Sequence, residues 1–265
     1  MKIGASSACF YPLETEKAFL LLGEMGFTES EIFFNSRCEL DSSFVKELDA
    51  IRKSYNINVI SLHPHSSFAE GYNFFSNYER RFNDGLEDYK KYFEAAGILG
   101  AKYIVLHGSN HPVINTEEYA ERFKRLNDVA LSFGCTVAHE NVVKYVSETP
   151  EFMKEMRGYI GDEFKTVLDI KQARRAGRDV SEFIQAMGES IVHVHLSDYN
   201  EKCDCIPPSN EGLFDFKKLF TDLDSIGYKG KYIVELYSNN FSDKAEVSQS
   251  AKYLEDILNK VKQGF

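Results

Sequence analysis

Residues 164–198 read FKTVLDIKQARRAGRDVSEFIQAMGESIVHVHLSD. The segment opens on an apolar run, FKTVLD, that ends at Asp169. It closes on a second, IVHVH from Ile191, that ends at His195. Both runs are short, β-branched and nearly continuous in apolar character, as strands buried on both faces of a parallel sheet should be. Residues 180–187 between them have helical spacing. Strand, helix and parallel strand make one βα repeat. Working outward, the same repeat recurs. Strand-like runs are KIGAS from Lys2, SEIFF from Ser30, NVISL from Asn58, YIVLH from Tyr103, TVAHE from Thr136 and YIVE from Tyr232. Helical stretches cover residues 14–25, 42–55, 78–99, 116–133, 150–157, 216–226 and 245–261. Asp41 stands where an N-cap belongs, and Glu117 and Glu118 sit in the first turn of their helix. Eight strand–helix units in 265 residues predict a (β/α)8 TIM barrel, α/β in class, with residues 1–265 as one domain. No G-x-G-x-x-G follows the first strand, which argues against an open dinucleotide-binding sheet.

Composition agrees. Hydrophobic residues make up 43% and charged residues 27%, enough for a large core and too apolar for disorder. The net charge of −10 disfavours nucleic acid as a partner. No stretch approaches the roughly 20 apolar residues of a membrane helix. MKIGASSACF has no long apolar segment, so no signal peptide is expected. Five cysteines, at 9, 38, 135, 203 and 205, form no paired framework and fit a reducing cytoplasm. Cys203-Asp-Cys205 lacks a second Cys/His pair and reads as a plain loop.

Four strand-like runs deliver a polar group at the C-terminal end: Glu140, Asp169, His195 and Glu235. Burying unpaired carboxylates is costly, and a shared divalent cation removes that cost. Three carboxylates and an imidazole suit Mn²⁺, Mg²⁺, Co²⁺, Zn²⁺ or Fe²⁺. The first three are 29 and 26 residues apart, about one βα unit each. The interval to Glu235 is 40, because it contains the loop CDCIPPSNEGLFDF. A loop that long at the catalytic end of a barrel is expected to be a lid or a substrate wall. Lys171 and Lys144 are the nearby cations, and strand alternation aims neither one inward.

AHENV, VLDIKQARRAG and HVHLSD, with the earlier HPHSS and HGSN, resemble the xylose-isomerase-like barrel superfamily. It holds sugar isomerases and epimerases, inosose dehydratases and the endonuclease IV class of abasic-site nucleases. The resemblance spans essentially the whole chain. It implies that Glu140, Asp169, His195 and Glu235 are the shared metal ligands. It also implies that Glu140 and Glu235 carry out proton transfer α to a carbonyl, through an enediolate stabilised by the metal. His63 and His107 match positions that hold another zinc in the endonuclease class, so they are read as a second metal site or as substrate-binding groups. Gln172 stands where the nucleases have a metal histidine and the epimerases a substrate-binding one. No histidine lies beyond His195, so the trinuclear nuclease site cannot be assembled. The epimerases carry an arginine shortly after the metal histidine, and here Lys202 is the only substitute.

Other residues are assigned by position. His193 shares a strand face with His195 and sits one layer deeper. Asn141 and Asp198 are orienting or substrate-binding candidates, as is Gln172. His139 should point away from the site. Glu31 is either an acceptor behind the ligands or a strand-edge charge. Phe10, Tyr11, Phe34 and Phe68 are candidate pocket walls, and Arg174, Arg175 and Arg178 read as a solvated helix face. The expectation is a metal-dependent sugar or sugar phosphate isomerase or epimerase with a carbohydrate as its small-molecule partner and no membrane contact. Oligomerisation is left open. The alternatives are a two-metal phosphodiesterase or abasic-site nuclease, an inosose-dehydratase-like lyase, and a sugar-binding barrel without catalysis.

Overall fold

A computed structural model describes residues 2–110 and 114–264. Eight parallel strands close into a barrel in sequence order: β1 (Ile3–Ser6), β2 (Glu29–Phe33), β3 (Asn58–His63), β4 (Tyr103–Leu106), β5 (Thr136–Glu140), β6 (Lys165–Asp169), β7 (Ile191–Leu196) and β8 (Lys231–Val234). β1 pairs with β8 to close the ring. The outer layer comprises α1 (Thr15–Glu24), α2 (Ser42–Ser54), α3 (Glu70–Phe74), α4 (Glu79–Leu99), α5 (Thr116–Ser132), α6 (Pro150–Ile160), α7 (Ile170–Arg175), α8 (Val180–Met187), α9 (Phe216–Ser225) and α10 (Ala245–Lys262). This is the single (β/α)8 barrel expected from the repeat. Two short helices, α3 and α7, have too few residues to show an apolar period. Each fills part of a βα connection at the C-terminal face.

Local chemistry sets several helix starts. Asn115 caps α5 by accepting from Glu118 N–H, and Thr149 caps α6 ahead of Pro150. Asp41 occupies the N-cap of α2, but its side chain makes no capping bond. Among the described residues no helix is long and apolar enough to cross a membrane.

Period-two alternation divides β4, β5 and β6 between two cores. Leu168, Val194 and Val234 face the helices and join the large outer core. Val105, Ala138 and Val167 form a small cluster with Val192, the residue skipped where β7 shifts register against β6. Stepping two residues on from Val105, Ala138 and Val167 gives His107, Glu140 and Asp169, so the same face that packs the barrel presents polar groups at its mouth.

His139 takes the other parity and lies among the rings of Tyr119, Phe123, Phe152 and Phe164. Its Nε2 is 2.8 Å from the Tyr119 hydroxyl. Burial, only partly offset by a bond to the Glu140 carbonyl, lowers its pKa to about 4. The unfolded chain therefore takes up a proton near pH 6.5 that the folded chain refuses until about pH 4. Stability from this group is full above 6.5 and falls as the pH drops through that window, by about 3 kcal/mol in all. His139→Gln should flatten the loss of stability between pH 7 and 4 in denaturant titrations. Parallel pH curves for the two proteins would show that His139 titrates normally in the fold.

Candidate metal centre

Glu140 and Asp169 are the last residues of β5 and β6, His195 is the penultimate residue of β7, and Glu235 follows β8 directly. The register places Asp169 opposite His195. The four side chains offer ligand atoms that all lie within 4.8 Å of one another. His195 Nδ1 is 3.2 Å from Glu140 Oε1, 3.6 Å from Glu235 Oε2 and 3.9 Å from Asp169 Oδ2.

Supporting contacts fix these groups. Asp169 Oδ1 accepts from Gln172 N–H at 2.9 Å and so caps α7, which leaves Oδ2 turned to the cluster. Asn141 clamps the same residue, accepting from Asp169 N–H and donating to its carbonyl. Behind the cluster, Glu31 is fully buried, with Oε2 3.2 Å from His195 Nε2, 3.3 Å from His193 Nε2 and 2.7 Å from Ser61 Oγ. A carboxylate behind a ligand imidazole sets which ring nitrogen faces the metal. Glu31 is thus an acceptor behind His195, the first of its two readings.

Burial and charge oppose each other throughout. Burial disfavours the His195 imidazolium, but Glu235, Glu31 and Glu140 outweigh it and hold the pKa well above the ordinary imidazole range. Burial would raise Glu140 and Glu31, but the histidines beside each lower both well below the usual carboxylate range. Asp169 goes the other way. Burial, with the charges of Glu140 and Glu235, overrides the Lys171 ammonium and lifts it to about 6.

Do the residues fit a divalent cation? Glu140 Oε2 and Asp169 Oδ2 are buried and accept no hydrogen bond of normal geometry, although His107 Nε2 and Lys171 Nζ lie 3.0 and 3.2 Å away. Buried carboxylate oxygens with unused lone pairs beside an imidazole are the donor set that a divalent ion takes.

A cavity of about 370 Å³ opens over the cluster, lined among others by Glu140, Glu235, His63, His107, Lys171 and Gln172. His63 and His107 are 2.9 Å apart, and with Glu140 they form a second group of mutually close ligand atoms. Gly108 follows His107 at φ +84°, where an added Cβ would meet the Tyr119 hydroxyl at 2.0 Å. Only glycine lets the chain turn there. Its N–H donates to the buried Glu70 carboxylate, which anchors the His107 loop.

Several expected residues lie elsewhere. Asp198 is not in the cavity. Its Oδ1 accepts from the N–H groups of Tyr199, Leu213 and Phe214 and so folds the loop that follows β7. That loop does not line the cavity among the described residues. It is pinned to the side by the fork of Arg175 on Asp204, while Arg174 lies over the Tyr199 ring. Arg174 and Arg175 are therefore tethered rather than solvated. Lys202 is exposed, Lys144 points outward, and all five cysteines are free thiols. Phe10 and Phe34 are core residues, and Phe68 is exposed. The aromatic wall is Tyr11 with Phe33 and Tyr237, the last two not anticipated. Phe33 was findable, because it shares strand parity with Glu31. His111 lies outside the described residues.

The chain is 26% identical to an uncharacterized protein of Methanocaldococcus jannaschii, covering 98% of this chain and 92% of that one. It is 21% identical to fructoselysine 3-epimerase of Escherichia coli O157:H7, over 89% and 90%. Among solved structures, the IolI protein with a binding zinc atom superposes with a TM-score of 0.78 at 23% identity, over 98% of this chain and 99% of that one. At that identity the likeness shows the fold. The family model described as xylose isomerase-like TIM barrel matches residues 19–257, and the chain belongs to that family.

Proposed function

We propose that this protein is a divalent-metal-dependent isomerase or epimerase of a sugar or sugar phosphate, moving protons at carbon α to a carbonyl. The observation that carries the reading is the convergence of Glu140, Asp169, His195 and Glu235 within 4.8 Å, with both glutamates lining one cavity. An epimerase among the relatives and a zinc-binding structural neighbour support it. An ion held by those four residues would supply Lewis-acid polarisation of a substrate carbonyl. The residues do the rest. Glu140 and Glu235 leave strands three apart in the ring, so each reaches a sugar held between them from its own side. One removes the α proton. The other returns a proton to the same carbon in epimerisation, or to the neighbouring carbon in isomerisation. His107, 3.0 Å from Glu140 Oε2, holds that glutamate in place. Gln172 and Asn35 offer amides to substrate hydroxyls, while Tyr11, Phe33 and Tyr237 limit water.

Protein purified without chelator should contain about one divalent ion per chain and should incorporate solvent deuterium at carbon α of at least one ketose in a panel. Bound metal with no exchange on any sugar would sink the reading in favour of a binding barrel. Loss of hydroxide after the same proton abstraction would identify a dehydratase. The His63–His107–Glu140 group supports one further reading, a two-metal phosphodiesterase. Two ions per chain with salt-sensitive binding of abasic-site DNA would favour it.

A further inference from the structure

Lys171 lines the cavity and takes no step in the proposed reaction. It stands in the first turn of α7, and its side chain is buried. Its Nζ lies 3.2 Å from Asp169 Oδ2 and 3.1 Å from Glu235 Oε2. Those are the same two oxygens that face His195 Nδ1. Asp169 has no alternative to offer, since its Oδ1 is taken by Gln172 N–H. An ion bound to both oxygens at about 2.0–2.2 Å would lie no farther than about 5 Å from Nζ. In a buried, weakly screened site, a dication and an ammonium at that separation repel strongly.

The ammonium has a second seat. The Tyr237 ring centroid is 4.9 Å from Nζ. A lysine stem is flexible, and its ammonium can exchange carboxylate contacts for the face of a ring. We propose that Lys171 is a tethered competitor of the metal: ammonium and ion contend for Asp169 Oδ2 and Glu235 Oε2, and the lysine thereby weakens metal binding. This rests on the reading of the cluster as a divalent-cation site. The opposing view makes Lys171 a plain ion-pair partner that keeps the carboxylates in place, in which case its removal should loosen the metal.

The test is titration of chelator-stripped protein with Mn²⁺ by calorimetry, for wild type, Lys171→Met, Lys171→Gln and Lys171→Arg. Lys171→Met should bind Mn²⁺ at least tenfold more tightly than wild type. Lys171→Arg keeps the cation and should bind as wild type does. Lys171→Gln removes the charge but keeps a polar end, and it decides the matter if the Met variant fails to fold. Equal or weaker binding by the folded uncharged variants, with wild type binding normally, overturns the competition alone. Absence of Mn²⁺ and Zn²⁺ binding in wild type and all variants would instead overturn the metal reading itself, and the competition with it.

Discussion

Glu140→Gln and Glu235→Gln should each lower turnover by about a hundredfold or more, the usual loss when a positioned acid–base group is removed. Both should keep the fold. Glutamine has nearly the same shape as glutamate, and its amide oxygen can still face the cluster, so much of the metal should stay. The two variants should differ in kind. Glu140 has an imidazole nitrogen beside each oxygen, His195 Nδ1 at 3.2 Å from Oε1 and His107 Nε2 at 3.0 Å from Oε2, so an amide must turn its NH₂ toward one ring or the other. Glu235 faces Lys171 and His195 through one oxygen, Oε2, and is better able to turn an amide oxygen to both. Glu235→Gln is therefore expected to keep more metal than Glu140→Gln. Exchange of the α proton with deuterated solvent should vanish in the variant that lacks the base for that face of the substrate, and can persist in the other. Near-wild-type turnover by both variants would end the two-glutamate mechanism.

The barrel was legible because parallel strands buried on both faces leave short, continuous apolar runs, and the helices between them stop at glycines such as Gly100 and Gly134. The strand ends were legible for the same reason: Glu140, Asp169 and His195 close their runs, and strand parity places them together. Reading failed where parity ends. Lys171 lies past the last residue of β6, in a helix of six residues, and nothing in a two-residue period says that its side chain returns to the strand ends. Asp198 failed for the opposite reason. Its nearness to His195 suggested a place in the site, but three backbone N–H groups of its own loop hold the carboxylate instead. Those partners come from as far as residue 214, and no local pattern announces them. The 40-residue interval was noticed, yet a long loop can pack beside a barrel mouth as well as over it. Arg175 on Asp204 decides which.

His195→Ala and Asp169→Asn are expected to deplete the metal more severely than either glutamine variant. His195 is the only imidazole of the four-residue cluster. Its nearest substitute, His193, points its Nε2 at Glu31 and at the back of His195, one layer further into the barrel. A methyl group in place of the ring leaves that gap unfilled and also deprives Glu31 of a partner. Asp169→Asn keeps the helix cap if the amide oxygen takes the Oδ1 position. The NH₂ must then occupy the Oδ2 position, aimed at the cluster and 3.2 Å from the Lys171 ammonium. If the amide flips, the oxygen returns to the cluster but the NH₂ opposes Gln172 N–H and the cap is lost. Neither orientation serves both duties, so the asparagine that looks most conservative is costly here. Losing a partner behind a ligand usually costs about 10–100-fold in metal affinity, and losing the ligand itself should cost at least that. Glu31→Gln, which alters the group behind His195 and not a ligand, should lose affinity within that range and keep more metal than the other two. Elemental analysis of protein purified without chelator, with circular dichroism to confirm folding, measures all three. Full occupancy in a folded His195→Ala or Asp169→Asn protein would show that the ion is held by a different set, and the His63–His107–Glu140 group would become the first place to look.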